Sequence, residues 1–579
     1  MKTMTTRGGL KLRVRWALSA SIAVALLAAS CAPAAQPAPS APAPAAPQST
    51  VAPPAPPAAP TATPRPAVGA PTPTPVPTAI PTATTGIQRG GTLKALVWAT
   101  PEKWEPYLVR SMTAIAPMSL GYGTIVRENP NKPGELIGDL AEGWTITKDG
   151  TVYTFKMRKG VKWHDGAPFT AKDAAFGLTL LQDKSPSMST QLKGSVKSIE
   201  APDDSTVVMT LKQIDPSILS ALAGGRAFIA PRQIVEAKKD FRTNVVGTGP
   251  FKFKSYRTDV SMEWVRNTDY YMPGKPYLDG VTYYIVPDRA SGKAAMKTGQ
   301  ADIAAPVYMN LTDQDDLNKT PGTRAFRYLN QNYEFFSLNA QVAPFNNVNV
   351  RKALYMAVDR NVFNQLVLAG SGQAVGAIPP DLGGYTVDEL SKYPGYRKDK
   401  AQDLDEAKKL LAQEGQSNLS FSVIYRPGPG YKDSAIFVQD QMSKIGVKVE
   451  LKTMDDATFL DAAFNRKFQS QVMRQVPFPK DPSVILGSYF STGDPSENTT
   501  ATSDPKLDKL INEQAALALD FAARSKKLKE IQDYLINNGY NNVLAWGSYQ
   551  GALRTSVQGY QPLTSIYNNL QHDTIWIAK

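Results

Sequence analysis

Apolar and polar residues alternate along this chain with two distinct periods. Leu419–Tyr425 (LSFSVIY) alternates at period two, as a half-buried strand does, and Pro427-Gly-Pro-Gly430 ends it. Apolar positions then recur at helical spacing near Ser434–Lys444, Gly446 stops that helix, and Val447–Lys452 (VKVELK) alternates again. Strand, helix and strand at this spacing predict a right-handed crossover joining parallel strands. Val350, Ala353, Leu354, Ala357 and Val358 give helical periodicity over Val350–Ala369, with Gly370 as the stop. Asp403-Leu-Asp-Glu406 has the spacing of a capping box, followed by Leu404, Ala407, Leu410 and Leu411 on one face and by Gly415. The class is α/β with mixed sheets.

Turn chemistry adds detail. Asp149-Gly150 reads as a hairpin turn entering the strand formers Val152, Tyr153 and Phe155. Pro168–Asp173 reads as a helix start, with Thr170 as N-cap and Asp173 answering it. Trp163-His164-Asp165-Gly166 reads as a turn, and so does Gly247-Thr-Gly-Pro250.

The N-terminal region follows a different pattern. A basic leader (Lys2, Arg7, Lys11, Arg13, Arg15) precedes the apolar run Ala17–Ala29, which is shorter than the about 20 residues a membrane span needs. Cys31 follows it. Residues 1–30 are therefore expected to be a secretory signal, and Ala28-Ala29-Ser30-Cys31 resembles a bacterial lipobox, with Cys31 as lipid anchor. Leu27 lies one place earlier than the usual lipobox leucine. From Ala32 to Gly86 there is no aromatic or acidic residue and a single charge, Arg65. Such a segment cannot bury enough apolar surface to offset its chain entropy, so residues 31–86 are expected to be a disordered Ala/Pro/Thr-rich linker.

Composition narrows the chemistry. The chain has one cysteine, so no intramolecular disulfide can form, and with only His164 and His572 no Cys/His metal cluster can be assembled. No GxxxxGK[ST] loop occurs, and Gly247–Pro250 lacks the third glycine of a dinucleotide fingerprint. Neither histidine has a nucleophile elbow to serve, and 51 acidic residues make some carboxylate pair inevitable, so neither pattern supports catalysis. Five of the basic residues behind the net charge of +13 are in the leader, and the rest are spread thinly without interleaved aromatics, which argues against nucleic acid. No cofactor is expected.

Ordered blocks from residue 88 onward carry a resemblance. They are Leu140-Ala-Glu-Gly-Trp144, Asp149–Phe155, Met157–Gly166 and Thr170–Asp173; then Gly247–Phe251, Arg266-Asn267, Asp269–Tyr271, Gly299–Asp302, Ser337–Asn339, Pro344-Phe345, Val350–Leu354 and Ala357–Asp359. In these the chain resembles the extracytoplasmic solute-binding proteins of ABC importers, in the large oligopeptide/dipeptide/nickel-binding family. The resemblance implies a two-lobed clamp of periplasmic-binding-protein type (type II-like, with an extra small domain). Domain I would be residues 87–130, 243–330 and 546–579, domain II 131–242 and domain III 331–545. It implies a monomeric, non-enzymatic receptor on the outer face of the cell membrane, handing a peptide or peptide-like solute to ABC permease subunits. A sugar-like or anionic solute, or a sensory co-receptor role, is the alternative.

Peptide-binding members hold the ligand amine with an Asp in an "aDYxDP" segment. The matching segment here is Val476-Pro-Phe-Pro-Lys-Asp-Pro-Ser483, in which Asp481-Pro482 persists but Val476 or Pro477 stands where the amine-binding Asp is expected. The family's "YEgL" reads Tyr122-Gly123-Thr124-Ile125. A proline side chain cannot bind an ammonium, and nearby Arg474 suits a carboxylate instead. The residues expected to contact solute are Trp104, Tyr122, Arg474, Phe478, Asp481, Tyr489 and Trp546.

Overall fold

The crossover read between Leu419 and Lys452 forms as strand Ser420–Tyr425, helix Tyr431–Ser443 and strand Lys448–Thr453. The strands pair in parallel from Ser420↔Lys448 to Tyr425↔Thr453. These elements come from a computed structural model, which describes residues 86–132, 134–309, 311–428, 430–490, 501–540 and 543–579.

This crossover is one end of a ten-stranded mixed sheet. The sheet continues through Ser470–Gln475, Thr323–Leu338, Val543–Arg554, Ile303–Met309, Thr92–Val97, Gly280–Ile285 and Ser261–Arg266 to Phe251–Arg257. Its two central strands are the long ones. Thr323–Tyr328 pairs antiparallel with Arg554–Tyr549, the register shifts, and Asn332–Phe335 then pairs with Gly547–Val543. Ile303–Met309 lies beside the first half and Ser470–Gln475 beside the second, so the same two strands serve both ends of the molecule.

Period-two geometry decides where the side chains go. Phe335 and Phe336 are neighbours on one strand, yet Phe335 packs with Ile485, Ile531 and Trp546 while Phe336 packs with Leu354, Val423 and Val438. These two cores make one lobe. The other lobe has a core with Leu93, Met112, Trp264, Tyr283 and Ile575, and a second core under a four-stranded sheet with Phe155, Leu178, Leu181 and Met209. Each such side chain stabilises by about 1.5–3 kcal/mol on leaving water.

The small sheet runs Ala141–Ile146, Val152–Met157, Thr206–Leu211, Val196–Asp203. Its first turn is the expected one: Gly150 has φ +72° and Gly150 N–H donates to Thr147 O at 2.8 Å. Helix Ala171–Lys184 starts with the Thr170/Asp173 capping box. The turn 163–166 packs against 247–249. His164 Nε2 lies 3.0 Å from Gly249 O, and Gly247 N–H donates to His164 Nδ1 at 3.3 Å. The glycines are required by close approach, since a Cβ on Gly247 would lie 1.8 Å from Gly121 O.

Two helix readings need correction. Val350–Ala369 is not one helix but two, Val348–Ala357 and Arg360–Leu366, because Val358 is extended and the Asp359 carboxylate caps Asn361 N–H and Val362 N–H at 3.1 and 3.0 Å. The helix ending near Gly415 begins at Lys400 with Asp399 as its cap, so Asp403 is not an N-cap. Asp403 is fully buried and ion-paired to Arg397 and Lys400 at 3.1 and 3.0 Å. Cys31 and residues 1–85 lie outside the described residues. Among the described residues no helix is long and apolar enough to cross a membrane.

Candidate functional site

Strand Ser470–Gln475 ends at the junction of the lobes, and the segment from Arg474 to Asp481 organises the site. Register places Glu334 opposite Arg474, and Arg474 Nε donates to the Glu334 carboxylate. Glu334 is 1% exposed, and burial lifts its carboxyl above the usual range although Arg474 opposes that. Burial lowers the Arg474 pKa, but Glu334 more than offsets it and the guanidinium ends up raised. Arg474 also sits over the Tyr431 ring at 5.4 Å. Gly430, at φ +83°, leaves it room, since a Cβ there would lie 2.7 Å from Arg474 Nη2.

Phe478 crosses to the other lobe. Its ring meets Tyr567 edge-on with centroids 5.7 Å apart, and a Cβ on Gly224 would lie 2.4 Å from its Cζ. Arg226 lies against both rings, its Cζ 4.5 Å from the Phe478 centroid and 4.1 Å from that of Tyr567. Gly225 N–H donates to Tyr567 O at 2.7 Å, which holds the loop after helix Ile218–Leu222 flat and delivers Arg226 to this position.

Lys480 and Asp481 turn back into structure. Lys480 Nζ pairs with Asp381 at 2.7 Å and lies 3.4 Å from Thr564 O of the other lobe. Asp481 grips Arg524 with both oxygens at 3.0 and 2.7 Å and accepts from Ser483 N–H at 2.8 Å.

Two clefts flank this segment. One, of about 480 Å³, is walled by Ser187, Gln191, Asp215, Phe478, Ser483 and Asn512 among others. The other, of about 350 Å³, has Glu128, Asp381, Lys480 and Asn568 on its walls. The first is lined mainly by hydroxyl, amide and apolar groups, and its carboxylate is Asp215. Asp215 accepts from Ser195 Oγ (2.6 Å), Ser217 N–H (2.9 Å) and Ser217 Oγ (2.6 Å). Among the described residues it forms no ion pair. No group of three or more His, Cys, Asp or Glu is placed to hold a metal among the described residues.

The structure sorts the residues expected to contact solute. Arg474, Phe478 and Asp481 come together at the junction, with both oxygens of Asp481 held by Arg524 and the charge of Arg474 paired through Nε with Glu334. Trp104 is 6% exposed and packs against Phe253 and Tyr256 with centroids 5.5 and 5.0 Å away. Tyr122 is fully buried against Phe228, and its hydroxyl, without a hydrogen-bond partner, is driven well above its usual pKa by burial. Trp546 is fully buried, donates from Nε1 to Gly376 O at 2.9 Å and lies 4.7 Å from the Tyr333 ring. These three therefore sit in packing rather than on a described cleft wall. Tyr489 is on helix Pro482–Phe490, with its side chain outside the described residues. Sequence reasoning missed Arg226, Glu334 and Tyr567, whose only local sign was the Gly224-Gly225 pair ahead of Arg226.

Two lobes sharing one sheet, with a hydrogen-bonding cleft between them, define a solute-binding clamp. The chain belongs to the bacterial extracellular solute-binding proteins, family 5, whose model ("Middle") matches residues 135–497. It is 29% identical over 456 residues to heme-binding protein A of Haemophilus influenzae, covering 73% of this chain and 81% of that protein. It is 26% identical over 504 residues to the dipeptide-binding protein of Escherichia coli, covering 81% of this chain and 92% of that one. Among solved structures, HbpA2 from Haemophilus parasuis superposes with a TM-score of 0.75 at 25% identity, covering 84% of this chain and 100% of that one. The periplasmic binding protein DppA from Helicobacter pylori, in complex with the peptide STSA, shares the fold with a TM-score of 0.67 at 24% identity, covering 85% of this chain and 99% of that one.

Proposed function

We propose that this chain captures a short peptide or peptide-like molecule between its lobes, outside the cytoplasm, and delivers it to an ABC permease. The observation carrying the peptide assignment is the cleft of about 480 Å³ with Asp215 on its wall. That volume lies in the usual range for small-molecule sites, and its hydroxyl and amide groups suit a ligand rich in backbone N–H and C=O. Asp215 replaces the missing family acid as partner for the ligand amine, because three donors fix its carboxylate in place while no cation among the described residues pairs with it. The names of several relatives, among them the dipeptide-binding protein, point the same way.

The lobes in this reading are residues 87–330 with 546–579, carrying the small domain 131–242, and residues 331–545. They close about the paired strands near the register shift between Tyr328 and Asn332. Cys31 carries a lipid that tethers the clamp, as a monomer, to the membrane surface through the linker.

The test is calorimetric titration of the wild type and Asp215→Asn with trialanine and N-acetyl-trialanine. The wild type is expected to prefer the free amine and Asp215→Asn to lose that preference, by about tenfold or more. Equal binding of both peptides by the wild type would remove Asp215 from the site. Binding of neither would remove the peptide assignment.

A further inference from the structure

Arg226, a partly exposed cation at the junction of the lobes, has an unusual set of neighbours. Its guanidinium sits in a corner between two aromatic rings, Tyr567 from its own lobe and Phe478 from the opposite one. Nη2 donates to Arg110 O at 3.1 Å, while Nε is buried without an acceptor. No carboxylate pairs with it among the described residues. The acid closest in its electrostatic surroundings, Glu102, spends its oxygens on Arg110 N–H, Ser111 N–H and the Ser111 hydroxyl. Burial accordingly lowers the guanidinium pKa, and Arg110 adds a like charge.

Arginines buried more deeply than Arg226 are provided for. Arg127 has Asp573 at 3.0 Å, Arg524 has both oxygens of Asp481, and Arg360 has the carbonyls of Val543 and Gly395 at 2.8 and 3.0 Å. A desolvated charge without such a partner is costly, and natural structures retain one where something else pairs with it. Ring contact does not neutralise the charge, which an ionic partner can still meet through the fork of N–H donors. That fork matches the two oxygens of a carboxylate.

We infer that Arg226 anchors a carboxylate of the captured solute, in the role the sequence suggested for Arg474. This deepens and rests on the proposed solute capture. Arg474 is unsuited because Glu334 already neutralises it. Because Phe478 reaches Arg226 from the opposite lobe and also walls the cleft, a bound carboxylate would tie solute charge to closure of the clamp. The competing account makes Arg226 a mechanical pin, holding the lobes together by stacking alone.

Matched acid and neutral probes separate the two. Trialanine is compared with trialanine amide, and gluconate with glucose, by calorimetry on the wild type, Arg226→Gln and Arg226→Lys. The wild type is expected to bind the acid of a pair about 10- to 100-fold more tightly than its neutral twin. Arg226→Gln should abolish that preference while binding the neutral twin within about threefold of wild type, and Arg226→Lys should keep part of it. Equal loss for acid and neutral probes in Arg226→Gln would establish the pin and overturn the inference, as would a wild type that binds no acid better than its twin. If only the gluconate pair binds, with an Arg226-dependent preference, the inference stands and the peptide assignment falls. An unchanged unfolding midpoint for Arg226→Gln shows that the fold is intact.

Discussion

His572 is buried and His164 partly so, and that makes the fold acid-sensitive in a defined window. His164 is held between Gly247 N–H and Gly249 O, and His572 lies 3.0 Å from the Tyr283 hydroxyl in a fully enclosed position. Burial pushes both imidazoles down to about 4 from the ordinary 6.5. A base with a depressed native pKa binds its proton first in the unfolded chain. Its contribution is therefore complete above pH 6.5 and is lost as the pH falls from there toward 4. A difference of about 2.5 units at about 1.4 kcal/mol per unit gives roughly 3 kcal/mol for each histidine. The pair together approaches the whole stability of an ordinary domain. Asp573, drawn down by Arg127 and Lys275 against its burial, loses its contribution only below the normal carboxylate range and does not blur this window. Glu334, raised by burial, opposes the trend near its own pKa. Urea unfolding followed by tryptophan fluorescence at about pH 7 and about pH 4.5 should show a loss of several kcal/mol, and His572→Gln or His164→Gln should each remove about half of the pH dependence. A flat profile between those pH values, or an unchanged slope in both variants, would refute the reasoning.

Asp481→Ala should destabilise the protein by about 3–5 kcal/mol, because it strands the buried Arg524 guanidinium. Chemical unfolding measures this, and solute affinity of the folded protein should stay within about threefold of wild type; a stable variant that no longer binds would place Asp481 on the ligand instead. Gly224→Ala puts a Cβ 2.4 Å from Phe478 Cζ and so acts on the contact between lobes. It should weaken solute binding by about tenfold, as overpacking of this kind costs about 1–3 kcal/mol, with little change in the unfolding midpoint. Calorimetry and thermal denaturation together check this, and an unaltered affinity would mean that Phe478 does not meet Gly224 in the loaded state.

Local signals in the sequence were enough where local chemistry decides the structure. The 420–453 crossover, the Asp149-Gly150 turn and the Thr170/Asp173 cap each depend on residues within one element or its immediate neighbours. The break at Asp359 was missed because apolar periodicity continues through Val358, while Asp359 caps a new helix and wins the contest for the backbone. Asp403 was misread for a related reason: acidic spacing fits an N-cap, yet its charge is consumed by Arg397 and Lys400 in the interior. At the site, the segment Val476–Ser483 was legible as a family block. Its partners were not, since Arg226 meets Phe478 across a fold in which no periodicity links them. Trp104, Tyr122 and Trp546 show the other limit, because a large aromatic in sequence suits a core and a cleft wall equally.

Native mass spectrometry of the protein purified without refolding, followed by denaturing release and identification of the bound molecule, tests the capture of a peptide most directly. The account predicts a small set of short peptides or peptide-like molecules with a free amine and a free carboxylate. A single bound species lacking both groups would contradict it.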